Sequence, residues 1–204
     1  MENSIVLFGG TFNPIHNGHV ALCKVVYRMI SPQKIILVPT NPFYKEGEEL
    51  APGKDRINMC RLAVRQLPYV FVDDYEIQKP PPCYTVELLR EMRQRYPKKK
   101  VYLLLGDDAF CTFPHWYQWR ECGALAELLV ATRHCREKEI QEIQENLAAR
   151  GIHSTQIGNP IVQVSSSSVR REISSGVSGS EIDQEVFQYI QKKGFYRIQE
   201  QILL

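Results

Sequence analysis

Ile5-Val6-Leu7-Phe8-Gly9-Gly10-Thr11-Phe12-Asn13-Pro14-Ile15-His16-Asn17-Gly18-His19 is the stretch whose reading decides the fold. Four apolar residues stop at two glycines, the pattern of a buried parallel strand running into a tight turn. From about Gly18 to Met29, Val20, Leu22, Val25, Val26 and Met29 recur at helical spacing, and Ser31-Pro32 ends that helix. A strand, a glycine turn and a helix in this order place the turn at a helix N-terminus, where free N–H groups and the helix dipole favour phosphate. Gly9 and Gly10 let the backbone approach a bulky anion closely. His16 and His19 stand three apart and share one face of the first helical turn, so both imidazoles can donate to phosphoryl oxygens. The turn is neither a GxGxxG nor a Walker A, which disfavours a dehydrogenase and a P-loop ATPase. Two histidines at this spacing can also ligate a metal, but no Glu, Asp or Cys flanks them closely, so zinc hydrolysis is disfavoured and no protein-held metal is expected.

The same alternation continues outward. Strands are predicted at residues 34–38, 69–72, 101–105, 126–131 and 161–164, and helices at 54–67, 84–96, 137–149, 167–175 and 182–193. Residues 40–53, with Pro42, Gly47 and Pro52, read as a loop longer than most, either a binding loop or a plain surface insertion. Alternating strands and helices predict an α/β fold, Rossmann-like and doubly wound, with a mainly parallel sheet and helices on both faces. Ligands in such sheets bind beyond the carboxyl ends of the strands, where the strand order reverses.

Composition sets bounds. At 204 residues the chain is expected to form one domain, with the helical portion from about 165 to 204 completing it. Hydrophobic residues at 44% and charged residues at 24% exclude a disordered chain. A formal net charge of +2 gives no global field toward DNA or an anionic membrane, so neither nucleic acid nor membrane is an expected partner. No apolar run approaches the roughly 18 residues of a membrane helix. Met1-Glu2-Asn3-Ser4 has no signal-peptide character, and a cytoplasmic location is expected. The six cysteines are widely spaced with no CxxC pair, which reads as buried thiols in a reducing compartment. Nothing here fixes oligomeric state; a homo-oligomer stays open.

The stretch Gly9–His19 resembles the N-terminal signature of nucleotidyltransferases with an HxGH motif. Further segments resemble bacterial nicotinate-nucleotide adenylyltransferases: Tyr84-Thr85-Val86-Glu87-Leu88, Gly106-Asp107-Asp108, Phe113-Pro114-His115-Trp116-Tyr117, Ser165-Ser166-Ser167-Ser168-Val169-Arg170 and Gly194-Phe195-Tyr196-Arg197. The resemblance implies adenylyl transfer from ATP, with Mg²⁺, to nicotinate mononucleotide. It implies that His16 and His19 bind the ATP phosphates and that Gly9, Gly10, Thr11 and Phe12 shape the loop. Ser165, Ser167 and Arg170 would hold the leaving pyrophosphate, with His16, His19 and Arg170 as the catalytic set. Gly106 and Asp108 would contact adenosine, and Arg133 would lie along the adenine. Thr85 and the Tyr117 N–H would hold the nicotinate carboxylate, Trp116 would stack on the pyridine, and Lys45 would meet the nucleotide's phosphate. Trp119 reads as core packing.

The chain departs from the family pattern in places. Asn13 stands where Asp is frequent, Cys83 where Ser or Ala is, and Tyr44 before Lys45 where a histidine is usual. Tyr44 cannot become cationic. The rivals on the same scaffold are pantetheine-phosphate adenylyltransferases, cytidylyltransferases and a nicotinamide-preferring enzyme; a nucleotide-binding regulator without turnover is the rival from another class. Pyrophosphate release with each acceptor separates them.

Overall fold

The computed structural model describes residues 2–41, 50–132, 137–158, 164–176 and 180–196. Strands β1 (Glu2–Gly10), β2 (Pro32–Pro39), β3 (Val70–Val72), β4 (Lys100–Gly106), β5 (Glu127–Thr132) and β6 (Ser154–Gly158) form one sheet in the order β3-β2-β1-β4-β5-β6. Every pairing is parallel. Helices α1 (Asn17–Ile30), α2 (Gly53–Val64), α3 (Thr85–Arg95), α4 (Asp107–Thr112), α5 (Trp119–Leu125), α6 (Glu137–Ala148), α7 (Ser166–Ser174) and α8 (Gln184–Lys193) surround it. The order reverses between β1 and β4, which is where a doubly wound sheet opens a crevice.

The period-2 alternation of the strands divides the core into two layers. Val6, Phe8, Ile35, Leu37, Leu104 and Leu129 face α1, α2, α7 and α8. Ile5, Leu7, Ile36, Val38, Leu103 and Val130 face α3, α4, α5 and α6. Burial on both faces explains why β1, β2, β4 and β5 are continuous apolar runs. At Ser31, the residue after α1, the chain turns left-handed at φ 42° and its N–H bonds the Tyr27 carbonyl, so the chain reverses straight into β2.

Two features of the sequence reading change. A strand that the sequence reading did not include is found at Ser154–Gly158; residues 161–163 of the strand expected at 161–164 lie outside the described ones, and Val164 is not in a strand. Among the described residues this strand pairs on one side only, and it buries only Ile157 of its five residues, so it carries no apolar run to betray it. The segment after β4 folds into α4, a 3-10 turn at Phe113–His115 and α5, elements too short for a helical period to register.

Helix α5 also sets a packing limit. A β-carbon on Gly123 would lie 2.5, 2.6 and 2.7 Å from three side-chain atoms of Ile152, including both branches, and Ile152 is 4% exposed. Alanine in a helix gains about 1 kcal/mol over glycine, whereas overpacking a filled core costs about 1–3 kcal/mol. Gly123→Ala is therefore expected to destabilise the protein. A urea midpoint below wild type checks this, and an unchanged or higher midpoint contradicts it.

Candidate active site

The loop after β1 begins where Gly9 and Gly10 pair with Val38 and Pro39 of β2. Phe12 takes a left-handed backbone at φ 47° and folds its ring back over Gly10, where a β-carbon would sit 3.0 Å from the ring. That close approach is what the second glycine permits. Phe12 then packs edge-on to Phe8 at 5.5 Å and to His19 at 5.0 Å. His16 is 5% exposed and its ring stacks on that of His19 at 3.7 Å. The His16 N–H donates to His19 Nδ1 at 3.2 Å. An Nδ1 that accepts leaves the proton of the neutral ring on Nε2, a donor on the opposite edge of the imidazole. Gly18 keeps this turn tight: a β-carbon there would lie 3.0 Å from His16 Nδ1 and 2.9 Å from Val164.

Val164 leads into α7, so the C-terminal helices meet the same loop. The Ser166 hydroxyl donates to the Pro14 carbonyl at 2.9 Å, and Arg170 donates to the Asn13 carbonyl at 2.8 Å and to the Ser167 hydroxyl at 3.3 Å. Ser165 caps α7: its hydroxyl accepts the Ser168 N–H at 3.0 Å, and Ser168 Oγ accepts the Ser165 N–H at 3.0 Å. This reciprocal box fixes the first turn of α7. The N-termini of α1 and α7 are thereby brought together, a concentration of backbone donors suited to a polyphosphate.

Helix α8 is locked down by Tyr189, which donates to Asp55 at 2.7 Å and accepts from Asn58 at 3.0 Å. Beyond it, the Tyr196 hydroxyl donates to Asn13 Oδ1 at 2.6 Å, and the Ala51 N–H donates to the same oxygen at 3.0 Å. A neutral amide oxygen thus serves both donors at the position where the family often has Asp.

On the other side of the crevice, Gly106 ends β4 and caps α4, with Asp108 exposed in its first turn and Asp107 buried. Asp107 Oδ1 accepts the Asp108 N–H at 3.1 Å. Thr85 is the first residue of α3, at the same carboxyl edge of the sheet. Tyr84 and Tyr117 pack ring to ring at 4.5 Å, which brings the Trp116–Tyr117 segment beside Thr85. Arg90 of α3 clamps this arrangement through Glu121 at 2.6 and 2.7 Å and Gln118 at 2.9 Å. Trp116 donates to the Thr112 hydroxyl at 3.3 Å and tilts against Phe113 at 5.5 Å. Trp119 packs on the core at Phe113, as its sequence reading expected. Lys45, Tyr44 and Arg133 lie outside the described residues.

Two buried charged residues escaped the sequence reading. Arg56, 1% exposed, donates to the carbonyls of Thr11, Thr40 and Ala51. Glu76, 6% exposed, sits near enough to interact with its charge. Neither belongs to a motif; the available signal was a charged residue on the apolar side of a predicted helix, for Arg56 alone. Among the described residues no group of three or more His, Cys, Asp or Glu side chains converges to hold a metal ion, and no helix is long and apolar enough to cross a membrane.

Burial pushes the Glu76 carboxyl up to about 7, against the opposing pull of the Asn41 N–H, Lys79 and Arg56. Between its ordinary value of 4.5 and about 7 the folded chain holds a proton that the unfolded chain has released, so this group's contribution to stability falls as pH rises through that window. Glu76→Gln removes the dependence. The variant's melting temperature relative to wild type is expected to be higher at pH 8 than at pH 5; a difference that does not move with pH contradicts it.

A family model described as cytidylyltransferase-like matches residues 7–175. A probable nicotinate-nucleotide adenylyltransferase of Dehalococcoides mccartyi is 34% identical over 95% of this chain and 97% of that protein. One of the same name from Caldicellulosiruptor bescii is 31% identical over 95% and 98%. Among solved structures, Plasmodium falciparum nicotinic acid mononucleotide adenylyltransferase complexed with NaAD superposes with a TM-score of 0.75 at 20% identity, covering 95% of this chain and 97% of the other. At that identity the likeness bears on the fold.

Proposed function

The chain belongs to the cytidylyltransferase-like family, in its nicotinate-nucleotide adenylyltransferase branch, and we propose that it transfers AMP from ATP to nicotinate mononucleotide, giving deamido-NAD and pyrophosphate in NAD biosynthesis. The observation that carries the reading is the stacked His16–His19 pair at the N-terminus of α1, faced by Arg170 and the first turn of α7 through a shared loop.

An oxygen of the mononucleotide's 5′-phosphate attacks the α-phosphorus of ATP. A new phosphorus–oxygen bond forms as the bond from the α-phosphorus to the bridging oxygen breaks, and pyrophosphate leaves with the electron pair. The chain supplies position and charge neutralisation and no covalent intermediate. His19 Nε2 and His16 donate to the α-phosphate as charge builds on it. Gly9, Gly10, Thr11 and Phe12 form the floor of the turn. The backbone donors that begin α7, with Ser167 and Arg170, hold the β- and γ-phosphates; Ser165 sets the geometry of that turn. Gly106 and Asp108 take the adenosine, with Asp108 on a ribose hydroxyl and Arg133 along the adenine. Thr85, Trp116 and the Tyr117 N–H take the nicotinate ring and its carboxylate, and Lys45 the nucleotide's phosphate. Helices α7 and α8 complete the ATP side of one nucleotidyltransferase domain.

Mg²⁺ would accompany the incoming triphosphate and offset its charge; among the described residues no group of three or more His, Cys, Asp or Glu side chains converges to hold it. Burial pushes the Cys23 thiol up to about 12 and Cys122 to about 11, which keeps both protonated.

Pyrophosphate release with ATP and Mg²⁺ tests the function: nicotinate mononucleotide is expected to be strongly preferred over nicotinamide mononucleotide. Equal use of both would break the assignment of Thr85, Trp116 and Tyr117. Release with neither would overturn the reading. His19→Ala is expected to cut kcat by about 10²-fold or more, the effect of one lost transition-state donor; a near-normal rate would remove His19 from its role.

A further inference from the structure

Arg56 lies in the first turn of α2, yet its guanidinium is spent entirely on backbone outside that helix. One nitrogen, Nη1, donates to the Thr11 carbonyl at 2.7 Å and to the Thr40 carbonyl at 2.7 Å, while Nε donates to the Ala51 carbonyl at 3.0 Å. Thr11 belongs to the turn that carries His16 and His19, and Thr40 follows the last residue of β2. The Thr40 N–H in turn donates to the Gly10 carbonyl at 2.9 Å, so the two strand ends are cross-linked twice. The Ala51 N–H reaches Asn13 Oδ1 at 3.0 Å, which returns the connection to the same turn. The buried Glu76 carboxyl lies close enough to Arg56 for each to feel the other's charge.

We propose that Arg56 is a positioning residue for adenylyl transfer, fixing the turn after β1, on the ATP side, against the end of β2, on the acceptor side, through the carbonyls it bridges. The inference rests on the function proposed above. Arg56 touches no reacting atom. Its planar fork sets the spacing of three carbonyls from two nitrogens of one rigid group, which a lysine ammonium, a point charge on a flexible stem, cannot do from the same depth. In-line transfer depends on that spacing, and a displacement of about 1 Å can cost about 10²-fold in rate. The cost of losing Arg56 therefore falls on kcat, since each half of the site can still bind its own substrate.

The test compares Arg56→Lys and Arg56→Gln with wild type at a temperature where circular dichroism shows each fully folded. Arg56→Lys is expected to lower kcat by about 10-fold or more, with the KM for ATP and for nicotinate mononucleotide each within about threefold of wild type. Arg56→Gln is expected to lower kcat further. A kcat per folded molecule within about twofold of wild type in both variants would reduce Arg56 to a stabilising contact and overturn the proposal. Amide hydrogen exchange on the same proteins reads positioning without turnover. Residues 10–13 and 40–41 should exchange faster in Arg56→Lys, while the amides of β4 and β5 keep their wild-type rates. Unchanged exchange in those two segments also overturns it. A wild type that releases no pyrophosphate would count against the proposed function, and the exchange result would still decide the role of Arg56.

Discussion

A phosphate-binding turn must leave its N–H groups available to the ligand, and its carbonyls must then be satisfied from beneath by something other than a sheet or helix ladder. An unmet buried carbonyl costs about as much as a lost hydrogen bond. The rest of this structure depends on how that constraint is met. The Thr11, Asn13 and Pro14 carbonyls are taken by Arg56, Arg170 and Ser166, three residues from α2 and α7. The donors come from two distant parts of the chain, α2 and α7, so satisfying one turn ties the first strand to the second helix and to the C-terminal helices. Asn13 Oδ1 adds Ala51 and Tyr196 to the same knot.

This arrangement gives the C-terminal segment a mechanistic place. Helix α8 buries Val186 and Ile190 in the layer shared with α1 and α2, and its polar clasp on α2 runs through Tyr189, Asp55 and Asn58. The clasp sets where Tyr196 falls, and Tyr196 sets Asn13. On the opposite layer, Arg90 holds α3 to α5 and fixes the aromatic segment beside Thr85. The two halves of the proposed site thus rest on opposite faces of the sheet, at its carboxyl edge.

Much of this was legible in the sequence. The runs 5–8, 34–38, 101–105 and 126–131 are doubly buried strands, and nothing but a parallel sheet places so many short apolar runs between helices. The glycine turn and its two histidines are adjacent in sequence, so local spacing reveals them. Three things were not legible for identifiable reasons. Strand β6 lies at a sheet edge and buries one side chain, so it has no apolar signature. Arg56 and Glu76 act on backbone atoms brought close only by folding, and no spacing announces such partners. Ser165 reads as a phosphate ligand by its place in a motif, and the cap its hydroxyl gives α7 is a contact that the motif does not announce.

The central claim is that the chain holds ATP and the mononucleotide for one direct displacement at the α-phosphorus, with no residue acting as a nucleophile. The most direct measurement is the stereochemical course with ATP carrying a single sulfur in place of a non-bridging α-oxygen, in one defined configuration. A single in-line displacement predicts inversion at the α-phosphorus in the dinucleotide product. Retention would require two displacements through a covalent adenylyl-enzyme, and would contradict the account.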